Sequence, residues 1–141
     1  MDKKDHKIIA TLRENSRMSL RKVSKRVHMS ESGVRKRVKQ LEREGVIKGY
    51  TVVVDPSKLG FSTTAIIGLD VEPQKCRMVI KELTRLGDVK MLAIVAGEHT
   101  ITGEVLARDN KELADIVLRK IGGIEGVTKA HASVILERIK G

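Results

Sequence analysis

Apolar residues recur at helical spacing in three short groups along the first third of this 141-residue chain. Ile8, Ile9 and Leu12 make one apolar face after Asp2 and Asp5, which are spaced as a capping box, so a helix is predicted to about Asn15. LRKVSKRV follows Ser19, a good N-cap, and puts Leu20, Val23 and Val27 on one face. The third group starts at Ser30, sets Val34, Val38 and Leu41 at i, i+4 and i+7, and stops at Gly45. A glycine there can take the left-handed C-terminal cap. After it, VIKGYTVVVD turns to β character and DPSKLG marks a turn and linker. The chain therefore reads as a helical domain over 1–50, a strand and linker over 51–60, and a second domain over 61–141.

The second domain alternates its elements. Thr63 to Val71 is a strand candidate, Pro73 to Leu86 a helix with Val79, Ile80 and Leu83 inward and Gly87 as its stop, and Val89 to Ala96 a strand. Gly97, Glu98 and His99 break the pattern before a strand from Thr100 to Ala107. A helix begins at Asn110, turning Leu113, Ile116, Val117 and Leu118 to the sheet, and a last strand runs from Thr128 to Ile139. This order, βαββαβ, is the ferredoxin-like arrangement, an α+β fold with two helices on one face of an antiparallel sheet. Ile66, Leu69, Leu92, Ile94, Ile101, Val105, Val134 and Leu136 supply apolar side chains for both faces, so the uncovered face is expected to pack on another subunit.

Charge changes the picture of the first domain. Nine Lys or Arg between Arg17 and Lys39 stand against one acid, Glu31, a local net charge of +8. Residues 1–60 hold 16 Lys and Arg against 7 acids, whereas residues 61–141 hold 12 against 11. Such asymmetry is expected when one module meets a polyanion, and double-stranded DNA is the leading partner. A membrane surface is disfavoured, because interfacial helices want large apolar residues opposite the charge and the chain has no Trp, one Phe and one Tyr. No apolar run approaches bilayer length and MDKKDHK lacks a signal-peptide core, so a cytoplasmic location is expected. The lone Cys76 has no partner for a disulfide and no neighbouring Cys or His for metal; it reads as a partly packed thiol.

Two amphipathic helices joined by a short break, the second densely cationic, read as a DNA-binding helix-turn-helix. Residues early in the second helix and off its apolar face, Ser32, Arg35 and Lys36, are the candidate base readers, since Arg makes bidentate contacts with guanine. Arg21, Lys22, Arg37 and Lys39 are assigned to phosphates, with Ser30 and Gln40 beside them; for Arg37 an acid of its own domain is the alternative partner. Gly33 costs the helix about 1 kcal/mol relative to Ala, explained either by close approach to DNA or by a tolerated surface glycine.

DKKDHKIIATLRENSRMSLRKVSKRV, then SESGVRKRVKQLEREGVIKGY, then DPSKLG and the split strand-helix domain together resemble the Lrp/AsnC family, the leucine-responsive or feast/famine regulators, along essentially the whole chain. The resemblance implies a winged-type helix-turn-helix domain, a hinge strand over 51–60, and an effector-binding and oligomerisation (RAM) domain. It also implies homodimers, commonly assembled into octamers, that control transcription at palindromic sites. Two departures stand out: His28 replaces the usual glycine of the turn, and Gly97, Glu98, His99, Thr100 replaces a Gly-x-x-Asp pattern.

An amino-acid effector is expected at the hairpin, with Gly97 allowing close backbone approach and Glu98, His99 and Thr100 offering polar contacts; Ser133 on the last strand is a further candidate. No cofactor, metal site or catalysis is expected, because the histidines at 6, 28, 99 and 131 show no metal-ligand spacing and no nucleophile motif or phosphate loop is present. The alternatives are a haem-pathway decarboxylase of similar architecture, using His99 or His131 as acids, and a low-specificity architectural DNA-binding protein.

Overall fold

A computed structural model describes residues 1–139 and divides the chain into two units, Met1–Val53 and Val54–Gly141. In the first, α1 (Lys3–Glu14) begins with a complete capping box: the Asp2 carboxylate accepts from the Lys4 and Asp5 amides, and Asp5 accepts from the Asp2 amide at 2.7 Å. Ser19 caps α2 (Leu20–Val27) and Ser30 caps α3 (Glu31–Arg43). Between them His28 sits in the left-handed region at φ 53°, alone among the described non-glycine residues. The turn survives its missing glycine because His28 adopts the conformation itself. Gly45 closes α3 at φ +68°, and the Val46 amide reaches back to the Leu41 carbonyl at 2.9 Å, the 6→1 bond of a Schellman end. Ile8, Leu12, Val23, Val27, Val34 and Val38 form the core, with Met18, Leu20, Met29 and Ile47 at its edge.

The valine-rich stretch after Ile47 does not become a strand. No strand is present among the described residues between α3 and Thr63, and Val52 and Val53 are 76% and 85% exposed. β propensity describes fit to a paired, half-buried surface, and this segment has no paired neighbour among the described residues. A short 3₁₀ turn follows at Pro56–Leu59, capped by Asp55.

The second unit is the βαββαβ fold. Its sheet has the order β2-β3-β1-β4, with β1 (Thr63–Val71), β2 (Val89–Ile94), β3 (Ile101–Ala107) and β4 (Val127–Val134) all antiparallel to their neighbours. α4 (Cys76–Arg85) and α5 (Asn110–Asp115), which continues as a π-helical turn over Ile116–Ile121, cover one face. Ala65, Ile67, Leu69, Val105, Val79, Leu83, Ile116 and Ile121 fill the core between them.

Several boundaries and facings differ from the sequence reading. Pro73–Lys75 is a separate 3₁₀ turn ahead of α4, and β4 ends at Val134 rather than Ile139. Leu118 is 72% exposed, and Ile121 takes the inward place instead. The π turn adds a residue to the local period, so the buried positions run Ile116, Val117, Ile121. Cross-strand register also sorts the eight proposed sheet residues. Ile94 pairs with Ile101 and Ile101 with Leu69; Leu92 shares a row with Ile67, and Val105 and Val134 pair with Ala65, all in the helix-side register. Only Ile66 lies on the helix-free face, and Leu136 lies beyond the strand. That face is mixed in character, with Ile66 and Met91 beside Thr102, Glu104, Ser133 and His131.

Candidate nucleic-acid interface and effector face

At about 100° per residue, the turns of α3 place its buried line of Val34, Val38 and Leu41 opposite Ser32, Lys36, Lys39 and Arg43. Ser32, Lys36 and Lys39, with Arg21 and Lys22 of α2, are exposed and make no ion pair among the described residues. Arg43 was not singled out from the sequence, although it stands seven residues beyond Lys36 and repeats its position on the helix. It donates to the Gln40 side chain at 2.8 Å.

Arg35 flanks this line and pairs with Glu31 at 3.0 Å across one helical turn. An exposed i,i+4 pair is worth about 0.3–0.5 kcal/mol, so Glu31 is a weak competitor for that guanidinium. Arg37 is placed differently. It lies on the rim of the buried line, where α1 packs, and bonds Asp2 and Asp5, each at 2.7 Å. The acid of its own domain, the alternative to phosphate, is the partner the structure shows. The Asp5 amide and then the Arg37 guanidinium hold the Asp2 carboxyl down to about 2, and the Asp2 amide with Arg37 lowers Asp5 as well. The same bonds raise Arg37 further above its ordinary value.

Two more assignments acquire local roles. The Ser30 hydroxyl accepts from the Gly33 amide at 3.1 Å, and a Cβ on Gly33 would sit 3.0 Å from that oxygen, so the cap itself favours glycine. Gln40 bridges Glu44 and Arg43 on the flank of the helix.

Four of the effector candidates, Gly97, Glu98, His99 and Thr100, lie where β2 turns into β3, whereas Ser133 lies apart on β4. Thr100 donates its amide to the Leu69 carbonyl at 3.0 Å and accepts from Val95 at 3.1 Å, which ties the connection to β1. Glu98 is exposed and Ser133 pairs with Ile66 on the helix-free face. Gly97 has ordinary negative φ and open space around it, so its place does not require glycine. The close approach lies at Gly68 instead, where a Cβ would meet the His99 ring at 2.2 Å. His99 reaches Asp70 with Nδ1 at 3.0 Å and lies 5.0 Å from the His131 ring, centroid to centroid. Neither Asp70 nor His131 was grouped with the hairpin from the sequence. Their shared face follows only from the pairing of Gly68 with His131.

A three-helix unit with a cationic second motif helix, followed by a split strand-helix sheet, defines a DNA-binding regulator with an attached ligand-binding domain. Residues 1–48 match the family model for winged helix-turn-helix DNA-binding domains, and residues 64–141 match that for the Lrp/AsnC ligand binding domain. The HTH-type transcriptional regulator LrpA of Pyrococcus horikoshii is 41% identical over 140 residues, covering 99% of each chain. Among solved structures, a Neisseria meningitidis transcriptional regulator in complex with L-methionine superposes with a TM-score of 0.93 at 26% identity, covering 100% of this chain and 93% of that one. A feast or famine regulatory protein from M. tuberculosis, complexed with L-methionine, superposes at 0.92 with 25% identity, covering 99% and 95%. The chain belongs to the Lrp/AsnC family of transcription regulators and is a DNA-binding regulator of transcription.

Proposed function

We propose that the protein acts as a homodimer, assembled further into an octamer, that reads palindromic duplex DNA with α3 and responds to an amino acid. The observation that carries the DNA reading is the exposed line of Ser32, Lys36 and Lys39 opposite the core of α3. Ser32, Arg35 and Lys36 read base edges, while Arg21, Lys22 and Lys39 hold phosphates, with Ser30, Gly33 and Gln40 beside them. Arg37 instead braces α3 against α1. Oligomer formation is supported by exposed apolar surface: Val52 and Val53 at the end of the first unit, Ile66 and Met91 on the sheet.

The effector reading is supported by the two L-methionine complexes of structurally similar regulators. Glu98, His99 and Thr100 supply the polar contacts, Gly97 lines the approach, and Ser133 on the same sheet is a further candidate. The role is regulatory rather than catalytic, in keeping with relatives named as transcriptional regulators. No described helix is long and apolar enough to cross a membrane, and a cytoplasmic location, where a regulator meets the DNA it binds, is part of this reading.

Selection of bound sequences from random duplex DNA, with and without each of the twenty amino acids, tests both halves. A palindromic consensus that changes in affinity with one amino acid is expected. Equal binding to all duplexes would overturn the sequence-specific reading, and calorimetry that finds no amino acid bound would overturn the effector reading. Glu98→Ala and Thr100→Ala should reduce the response and leave effector-free DNA binding nearly intact.

A further inference from the structure

Strand alternation sets Gly68 and Asp70 on the helix-free face of β1, with His131 of β4 directly across from Gly68. His99 enters from the β2–β3 connection and lays its ring over the bare backbone of Gly68; any side chain there would displace it, since Cδ2 would be 2.2 Å and Nε2 2.7 Å from the new Cβ. His99 Nδ1 is 3.0 Å from Asp70 Oδ1, and one ligand atom from each of Asp70, His99 and His131 falls within 4.8 Å of the others. Three elements distant in sequence thus converge on one point.

We propose that Asp70, His99 and His131 form a divalent transition-metal site. Two imidazoles and one carboxylate are the donor set that zinc, cobalt and nickel take, whereas calcium and magnesium want oxygen donors throughout. Tetrahedral ligands at about 2.0–2.1 Å from a zinc ion lie about 3.3 Å from one another. Ligand atoms within 4.8 Å of one another therefore have to close by no more than about 1.5 Å, and the exposed His131 side chain has room to move. The ion replaces the proton between His99 and Asp70, and the three protein ligands leave a fourth position open to water or a small anionic ligand. The metal site does not depend on the amino-acid reading.

The test uses the untagged full chain stripped with a chelator and titrated with zinc by calorimetry and with cobalt by visible absorption. One ion per chain is expected, with a Kd of about 10 µM or tighter and cobalt bands of a four-coordinate site. His99→Gln and His131→Ala should each weaken binding by at least about tenfold without changing the far-ultraviolet dichroism. Gly68→Ala keeps all three ligands yet shifts the His99 ring, so it should weaken binding too; His6→Gln should not. No binding by the wild-type chain, or equal affinity in His131→Ala, would overturn the proposal. Amino-acid calorimetry in the presence of chelator reads the effector site separately, so the two ideas fail independently.

Discussion

Lys39 and Arg37 are two residues apart on the same helix and carry the same charge, yet the structure separates their roles, and the salt dependence of DNA binding measures that separation. Lys39 faces outward with no ion-pair partner among the described residues, whereas Arg37 is bonded to Asp2 and Asp5. Each phosphate neutralised contributes about −0.9 to the slope of log affinity against log salt. With Arg21, Lys22 and Lys39 each meeting one phosphate, two motifs on a palindrome make about six contacts and a slope near −5. Affinity should then fall by about three orders of magnitude between 50 and 200 mM salt. Lys39→Ala removes one contact per motif and should flatten the slope by about two units, weakening specific and random duplexes alike. Arg37→Ala should leave the slope unchanged and lower thermal stability, because Asp2 and Asp5 lose their shared partner. Fluorescence anisotropy over a salt series, beside a melting curve for each variant, supplies both readings. Equal flattening by the two substitutions would refute the assignment of Arg37 to the domain rather than to the DNA.

Other outcomes follow from the same geometry. The Asp2 carboxyl is held at about 2 against an ordinary 3.8, so its contribution to stability is complete above about pH 3.8 and is lost as pH falls through the folded value; carboxyl resonances followed by NMR should show this midpoint, moving upward in Arg37→Gln. Ile67 and Ile121 are fully buried, so truncation of either to Ala should cost about 2–5 kcal/mol in urea unfolding, whereas Leu118→Ala should stay within about 0.5 kcal/mol. A similar loss at Leu118 would contradict the π-turn facing. His28 at φ 53° carries left-handed strain of about 1–2 kcal/mol, so His28→Gly should be neutral or stabilising in thermal melts and His28→Val destabilising.

Much of this molecule was legible without its structure where the determining interactions are local. The capping box at Asp2 and Asp5, the Ser19 and Ser30 caps, the Gly45 stop and the apolar stripe of α3 depend on residues three to seven positions apart, and a linear sequence displays such spacings directly. The order of strands and helices in the second unit was legible for the same reason, as was the cationic face. The facing of sheet residues was not. It depends on register between strands far apart in the chain, and a shift of one residue reverses every side chain. That is why Ile101 and Leu69 proved to be in the helix-covered core, and why Gly68 proved to be the glycine that a close approach requires. The valines at 52–54 show the converse limit: their β propensity is local, but a strand needs a second backbone, and the described residues offer them none. Only the packing of α1 on α3 decided that Arg37 meets two acids of its own domain, and only the pairing of β1 with β4 brought Asp70, His99 and His131 together. Contacts between residues 29 or 35 positions apart leave no periodic trace in a single sequence, because each partner satisfies its own local pattern equally well with or without the other.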